Sequence, residues 1–494
     1  MRKIKKIGVA ALVLSIVAFV IPVFTGCSLG GSFRDNLTKY TMAITLHDDM
    51  RTVDVAMTVD YRNNYDVELN ELHFNLFANA FREDAQFRPV APHEVADAFT
   101  SFGGIDIHTV AVGGSAVEFT IGGEDYNVLI VPFANALMPT HRRVIDINFT
   151  VKLAEISHRL GYANGIANLG NFFPIVAVFQ DNAFRTNVYY YIGDPFFSTV
   201  ANFDVSITKS YNLIAAMSGK TVRGEKCENG TVATTAKICK ARDFAIVVGE
   251  FNVLYYDLED IQIRYYFVQD DEADKNLQAA IDSINTFSDM FGDYPYATFS
   301  TVKAPFLHGG MEFPALTIIS DALSGSMFRE VIIHEAAHQW WYAVVGNCQV
   351  YNAWIDESLA QISTSLFFER NPQYGISYTE RLAESLSMLS LYAQVYRDTA
   401  HFSTAMQRPL REFRNSVEYT VMVYLKGEIM LDTVRGQIGD EAFFTALRNL
   451  YQNNKFGIIT PACVIGVFET ASQRQLAPFF NAWLDGSISV FGSN

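Results

Sequence analysis

Between Lys39 and about Val253 the apolar residues fall mostly on alternate positions. Val53, Val55, Met57, Val59 and Tyr61 are separated by polar or small residues, and Phe203, Val205 and Ile207 repeat the habit. A period of two is that of a strand with one face in a core and the other toward water. Gly, Asn and Asp between the runs supply turns, and no long helical period interrupts them, so the stretch predicts a large antiparallel β-sheet domain. Past Glu250 the character changes. One more alternating strand is expected over 261–268, then an amphipathic helix over 274–290 that closes at Phe291-Gly292-Asp293-Tyr294-Pro295, and from Phe328 onward the period is helical. In the segment opening at Asp440, residues Phe443, Phe444, Leu447, Leu450 and Tyr451 share one helical face behind an aspartate that reads as the cap. The expectation is a multi-domain α+β protein: a targeting segment over 1–27, a β-sheet domain over 28–254 and a mainly α-helical domain over 255–494. No internal repeat or low-complexity tract is found.

The N-terminus adds a location. Arg2, Lys3, Lys5 and Lys6 precede an apolar run from Val9 to Phe24, the pattern of an export signal. It ends at Phe24-Thr25-Gly26-Cys27, which resembles a bacterial lipobox, so Cys27 is the expected lipidation site and the body is expected outside the cytoplasm, anchored to the membrane. The other reading is an uncleaved helix, for which Ile7 to Phe24 is at the short end of a bilayer span. Removing residues 1–26 takes away four positive and no negative side chains, moving the formal charge from −16 to −20. Nucleic acid and anionic lipid would be repelled by such a surface. Composition, at 50% hydrophobic and 18% charged, is that of a protein with large cores. Cys227 and Cys239 flank a short polar stretch with the turn signal Asn229-Gly230, and in an exported protein they could form a disulfide. Cys348 and Cys463 read as packed thiols, and no CxxC spacing suggests a structural zinc site.

The chemistry concentrates between residues 308 and 426. Val331-Ile-Ile-His334-Glu335-Ala-Ala-His338-Gln-Trp-Trp341 contains no Gly or Pro and reads as a buried helix, on which residues four apart share a face. His334 and His338 can therefore offer two imidazoles to one metal ion, while Glu335 is rotated away and can take a proton from water that the metal activates. Nineteen residues after His338, Glu357 stands among apolar neighbours in Trp354-Ile-Asp-Glu357-Ser-Leu-Ala360. A buried carboxylate needs a partner, and a cation held by two histidines is one. Two neutral imidazoles and one carboxylate leave a fourth zinc position open, as in catalytic sites. The reaction class is amide hydrolysis.

These spacings, with Gly309-Gly310-Met311-Glu312, Phe291-Gly292-Asp293-Tyr294-Pro295-Tyr296, Tyr424-Leu425-Lys426-Gly427 and Phe479-Phe480-Asn-Ala-Trp483-Leu484, resemble the aminopeptidase N and leukotriene hydrolase family of zinc metallopeptidases, the gluzincins. The resemblance covers much of 290–485; upstream it is limited to stretches such as Arg242-Asp243-Phe244-Ala245, similar to a strand late in the family's β domain. It implies an N-terminal β-sheet domain packed against a thermolysin-like catalytic domain, one Zn2+ per chain on His334, His338 and Glu357, and Glu335 as the base. It implies that Gly309, Gly310, Met311 and Glu312 bind the free α-amino group of a peptide, and that Tyr424 donates to the oxyanion, with Tyr419 as the nearest rival. Phe313 replaces the family's usual asparagine. His308 reads as a loop residue lining the cleft. The chain stops shortly after Trp483, so the long C-terminal helical domain of larger members is expected to be missing. The function implied is removal of N-terminal residues from peptides. A metallo-endopeptidase and a non-enzymatic zinc-containing surface lipoprotein are the alternatives, against which Glu312 and the pair Glu335 and Tyr424 respectively argue.

Overall fold

The computed structural model describes residues 36–399 and 402–488, so the export signal and Cys27 lie outside the described residues. The alternating run forms a hairpin of β1 (Lys39–Leu46) and β2 (Thr52–Arg62), with Val53, Val55, Met57, Val59 and Tyr61 all buried. They join β3 (Gly104–Val112), β4 (Arg142–Lys152), β5 (Ala201–Ser210) and β6 (Thr231–Ala241) in an eight-stranded sheet. Its order is Lys220–Arg223, β6, β5, β1, β2, β4, β3, Ser115–Ala116. One pairing departs from the antiparallel expectation: β1 and β5 run parallel, from Lys39↔Asn202 to Thr45↔Thr208. The hairpin occupies only one edge of β1, and β5 fills the other after a long crossover, the kind of connection a parallel pair needs. Two four-stranded sheets and a two-stranded one, Val178–Gln180 with Ala183–Arg185, complete this half.

The chain leaves these sheets at Gly249 and enters a separate five-stranded sheet at Asn252. Its strands are β7 (Asn252–Leu258), β8 (Ile261–Phe267), β9 (Thr298–Ala304), β10 (Gly310–Met311) and β11 (Leu316–Ser320), in the order β7, β8, β9, β11, β10. The three central strands are parallel and the two edges antiparallel. Helix α1 (Ala273–Phe291) is the crossover between β8 and β9, burying Ala280, Ile284, Phe287 and Phe291. The helices that follow include α2 (Gly325–Ala337), α3 (Trp354–Arg370), α4 (Lys426–Ile438) and α5 (Asp440–Asn454). The architecture is thus a β-sheet domain followed by a mainly helical domain on a mixed sheet.

Four local expectations are corrected. Gly439, at φ 80°, is the N-cap of α5, and Asp440 is its first helical residue, paired with Arg435 instead of capping. Residues 242–245 are not a strand: β6 ends at Ala241, the next strand starts at Ile246, and Arg242 turns inward. Its guanidinium donates to the carbonyls of Tyr342 (2.7 Å), Val344 (3.2 Å), Ser198 (3.1 Å) and Gly457. A Cβ on Gly346 would lie 2.1 Å from Arg242 Cζ, so only glycine admits this side chain. Cys227 is a free, exposed thiol and forms no disulfide with Cys239. The regular helix ends at Ala337 and does not run to Trp341; Gln339–Val344 forms a wider turn with Trp341 and Tyr342 out of helical conformation.

Candidate active site

That wider turn matters for the site. It folds the Trp341 carbonyl back onto the ring of His338, whose Nδ1 lies 3.1 Å away. A carbonyl can only accept, so Nδ1 carries a proton, and Nε2 is the nitrogen that can meet a metal ion. His338 Nε2 faces His334 Nε2 at 3.2 Å and Glu357 Oε2 at 3.2 Å, and His334 Nε2 lies 3.4 Å from the same oxygen. Glu357 comes from the first turn of α3, where the helix dipole favours a carboxylate.

A tetrahedral ion about 2.0–2.1 Å from each ligand spaces the ligand atoms about 3.3 Å apart, which is the spacing found. The electrostatics agree that the trio is built around a positive charge. Burial pushes the Glu357 carboxyl up, but His338 and His334 override it and hold it down to about 2. Burial works against a charge on His338, and Glu357 overrides it to raise that imidazole well above the ordinary histidine range. Burial lowers His334, keeping its imidazole neutral, as a ligand must be. The donor set fits zinc, with three protein ligands and an open position. A second grouping of Glu312, His338 and Asp356 uses the same histidine.

Glu335 leaves the helix on the side of β10. A Cβ on Gly310 would come 2.4 Å from Glu335 Oε1, so the glycine is what lets the strand pass against this carboxylate. Glu335 is 5% exposed, and its Oε2 has no hydrogen-bond partner in the protein. Burial, with Glu312 and Glu357 adding to it against His338, raises this carboxyl well above the usual range. An unpaired buried carboxylate oxygen beside a cation site is suited to holding and passing on a proton of water.

Glu312 follows β10 directly, and burial together with Asp194 pushes its carboxyl up to about 7. The loop after it is locked by Gln339, whose Oε1 accepts from Ala315 N (2.8 Å) and whose Nε2 donates to Phe313 O (3.2 Å). Phe313 is fully buried, facing Gly170 of the N-terminal domain, where an added Cβ would meet the ring at 2.3 Å. The residue that departs from the family pattern thus serves the domain interface. Met311 has its side chain in the core, so what it can offer a substrate is its backbone; Gly309 is exposed. His308 sits in an exposed loop against Phe306 and His158.

Tyr424 lies on the wide turn Thr420–Leu425 before α4, stacked on His334 with ring centroids 5.7 Å apart. Its hydroxyl donates to Glu357 Oε1 at 2.6 Å, whereas Tyr419 packs against the Tyr424 and Phe413 rings and Gly193. The rest of the motif is explained by packing. A Cβ on Gly427 would lie 2.0 Å from Ser358 Oγ, so glycine lets α4 lie against α3. Lys426 is buried and donates to Thr404 O (2.6 Å) and Trp483 O (2.8 Å), tying the late Trp483 segment to the site. Burial lifts the Cys348 thiol to about 11, which leaves it inert.

Several residues at the site carry no sequence motif. Gln349 and Asp356 are hydrogen-bonded to one another and Gln349 to Glu312, and from the N-terminal domain Arg159 pairs with Asp194 nearby. Only the acidic neighbour of Glu357 in the sequence could have drawn attention to Asp356.

The His–His–Glu trio, with a glutamate oxygen left unpaired beside it and the edge of a mixed sheet alongside, has the donors to hold a metal ion and a base to serve water at it. Residues 275–483 match the peptidase family M1 domain. Among curated proteins the chain is 29% identical over 258 residues to aminopeptidase N of Lactobacillus helveticus, covering 52% of this chain and 28% of that one. It is 26% identical over 180 residues to aminopeptidase B of Homo sapiens, covering 33% of this chain and 25% of that one. The chain thus spans less than a third of the length of these relatives. Among solved structures, the M1 zinc metallopeptidase from Deinococcus radiodurans superposes with a TM-score of 0.61 at 18% identity, covering 92% of this chain and 95% of that one. A mutant of the same enzyme bound to a Tyr-Ser-Ala substrate gives 0.63 at 16%, over the same 92% and 95%. Those alignments span both domains and establish the two-domain fold.

Proposed function

We propose that this protein is a zinc-dependent aminopeptidase holding one zinc ion on His334, His338 and Glu357. The observation that carries the reading is the placement of Glu312: a buried carboxylate at the end of edge strand β10, on the strand that passes against Glu335. An α-amine with a pKa near about 8 is mostly a cation at neutral pH, and a buried carboxylate selects for it. Zinc, when bound, supplies Lewis acidity toward the scissile carbonyl and toward water. Glu335 accepts the proton of the attacking water and passes it to the leaving amine. Tyr424, released from Glu357, turns its hydroxyl to the developing oxyanion, an interaction that strengthens as charge builds. The relatives named aminopeptidase N and B and the neighbour bound to a tripeptide support peptides as the substrate class.

The proposed location is the outer face of a membrane, with Cys27 lipidated. Among the described residues no helix is long and apolar enough to cross a membrane, so the sequence near Cys27 is the sole support for the anchor. Labelling with a radioactive fatty acid should mark the wild-type chain and not Cys27→Ala; equal labelling would refute it. The activity is tested with aminoacyl anilides beside their N-acetylated counterparts, using zinc-loaded protein. Cleavage confined to free amines supports the aminopeptidase. Equal cleavage of both sets points to an endopeptidase, and cleavage of neither with zinc bound points to a binding protein.

A further inference from the structure

Glu312 sits where a carboxylate is hard to hold. It is 3% exposed, and Asp194 and Glu357 both act on it from the same interior, which also contains Asp356 and Glu335. Left to itself such a group would turn away from its neighbours or take up a proton. One side chain opposes this. Gln349, 1% exposed, donates from Nε2 to Glu312 Oε1 at 3.0 Å and to Asp356 Oδ2 at 2.8 Å. The amide cannot be reversed, because its oxygen would then face two carboxylate oxygens. Asp356 is held in turn: its Oδ1 accepts from Asn347 Nδ2 at 2.9 Å, and that nitrogen also reaches Asn352 O at 3.1 Å. Asp356 directly precedes Glu357 in the first turn of α3.

We infer that Gln349 is the positioning residue of the amine site: it commits both amide protons to Glu312 and Asp356, leaving the second oxygen of Glu312 for the substrate's α-ammonium. The inference rests on the aminopeptidase reading. Its consequence is a fixed register. The ammonium and the scissile carbonyl of a peptide are a fixed number of bonds apart, so the carboxylate that binds one must be held rigidly relative to the metal that meets the other. The path Glu312, Gln349, Asp356 ties the amine site to the same helical turn that carries the ligand Glu357. A residue that merely filled space would not distinguish the two ends of the substrate.

The test isolates the amine. Leucine hydroxamate and 4-methylpentanohydroxamic acid share the metal-binding group and the side chain, and only the first has the amine. Their dissociation constants on zinc-loaded protein are measured by calorimetry for wild type, Glu312→Ala, Gln349→Met and the near-isosteric Gln349→Glu. Met keeps the volume without a donor. Should Met disturb folding, Glu is read in its place. The expected result is that the affinity ratio of the two probes falls by about tenfold or more in the Gln349 variant, toward that of Glu312→Ala, while zinc content and desamino binding stay within about twofold. A ratio unchanged from wild type, or equal weakening of both probes, would overturn the inference. A wild-type ratio of one would instead overturn the amine-site reading of Glu312 on which it rests.

Discussion

Arg242→Met removes the charge that joins the two domains behind the zinc site. The guanidinium is 3% exposed, has no carboxylate among its hydrogen-bond partners, and serves four carbonyls, those of Ser198, Tyr342, Val344 and Gly457. Burial lowers its pKa to about 10, so the ion bears a desolvation cost that the carbonyls offset. Bonds to a charged donor contribute about 1.5–3 kcal/mol each, and part of the loss is returned because the buried ion also disappears. The net expectation is about 3–4 kcal/mol of destabilisation, or roughly 8–15 °C in Tm for a domain of this size. Two of the carbonyls, those of Tyr342 and Val344, belong to the wide turn whose Trp341 oxygen fixes His338 Nδ1. Zinc affinity should therefore fall as well, by about 10–100-fold, the usual effect of disturbing a group that orients a ligand. Arg242→Lys, which keeps the charge but cannot reach four acceptors with one ammonium, should recover only part of either loss. Scanning calorimetry gives the first quantity and competition with a chelating dye the second. A Tm within about 2 °C of wild type, with unchanged zinc affinity, would refute the reasoning.

Tyr424→Phe should reduce kcat by about 10²–10³ with little change in KM, because the hydroxyl acts on charge that exists only in the transition state; an equal loss confined to KM would contradict this. Asp243 is buried beside Asn171, and burial raises its carboxyl from 3.8 to about 7. Between those values the folded state binds the proton and the unfolded state does not, so its contribution is greatest below about pH 4 and falls as pH rises to about 7. Asp243→Asn should therefore gain stability over wild type across that window, by roughly 4 kcal/mol at most, measured by urea unfolding at pH 4.5 and 7.5; a pH-independent difference would rule it out. Phe313→Asn, which restores the family's residue, should cost about 3–5 kcal/mol by opening a cavity against Gly170 and burying an amide, read from the urea midpoint.

What was legible in the sequence was what local periodicity carries. The alternation of Val53 to Tyr61 is the buried face of β2, and the spacing of His334, His338 and Glu357 places three ligand atoms within 4.8 Å of one another. What was not legible depends on distant chain segments. Nothing near Lys39 announces that its strand pairs in parallel with one starting at Ala201. The turn at Gln339–Val344 contains neither Gly nor Pro; it forms where Arg242 takes up its carbonyls. Gly439 outcompetes Asp440 as the cap because the backbone there is left-handed, at φ 80°. Gln349 and Asp356 have no meaning until the fold sets Gln349 beside Glu312, just past β10, and beside Asp356.

In the proposed reaction the trio holds zinc while Glu335 handles the proton. Metal analysis and turnover of an aminoacyl anilide, measured on the same preparations of wild type and Glu335→Gln, test it most directly. One zinc per chain is expected in both proteins, with a loss of about 10³-fold or more in kcat for the variant alone. Wild type without stoichiometric zinc, or a variant that keeps its turnover, would contradict it.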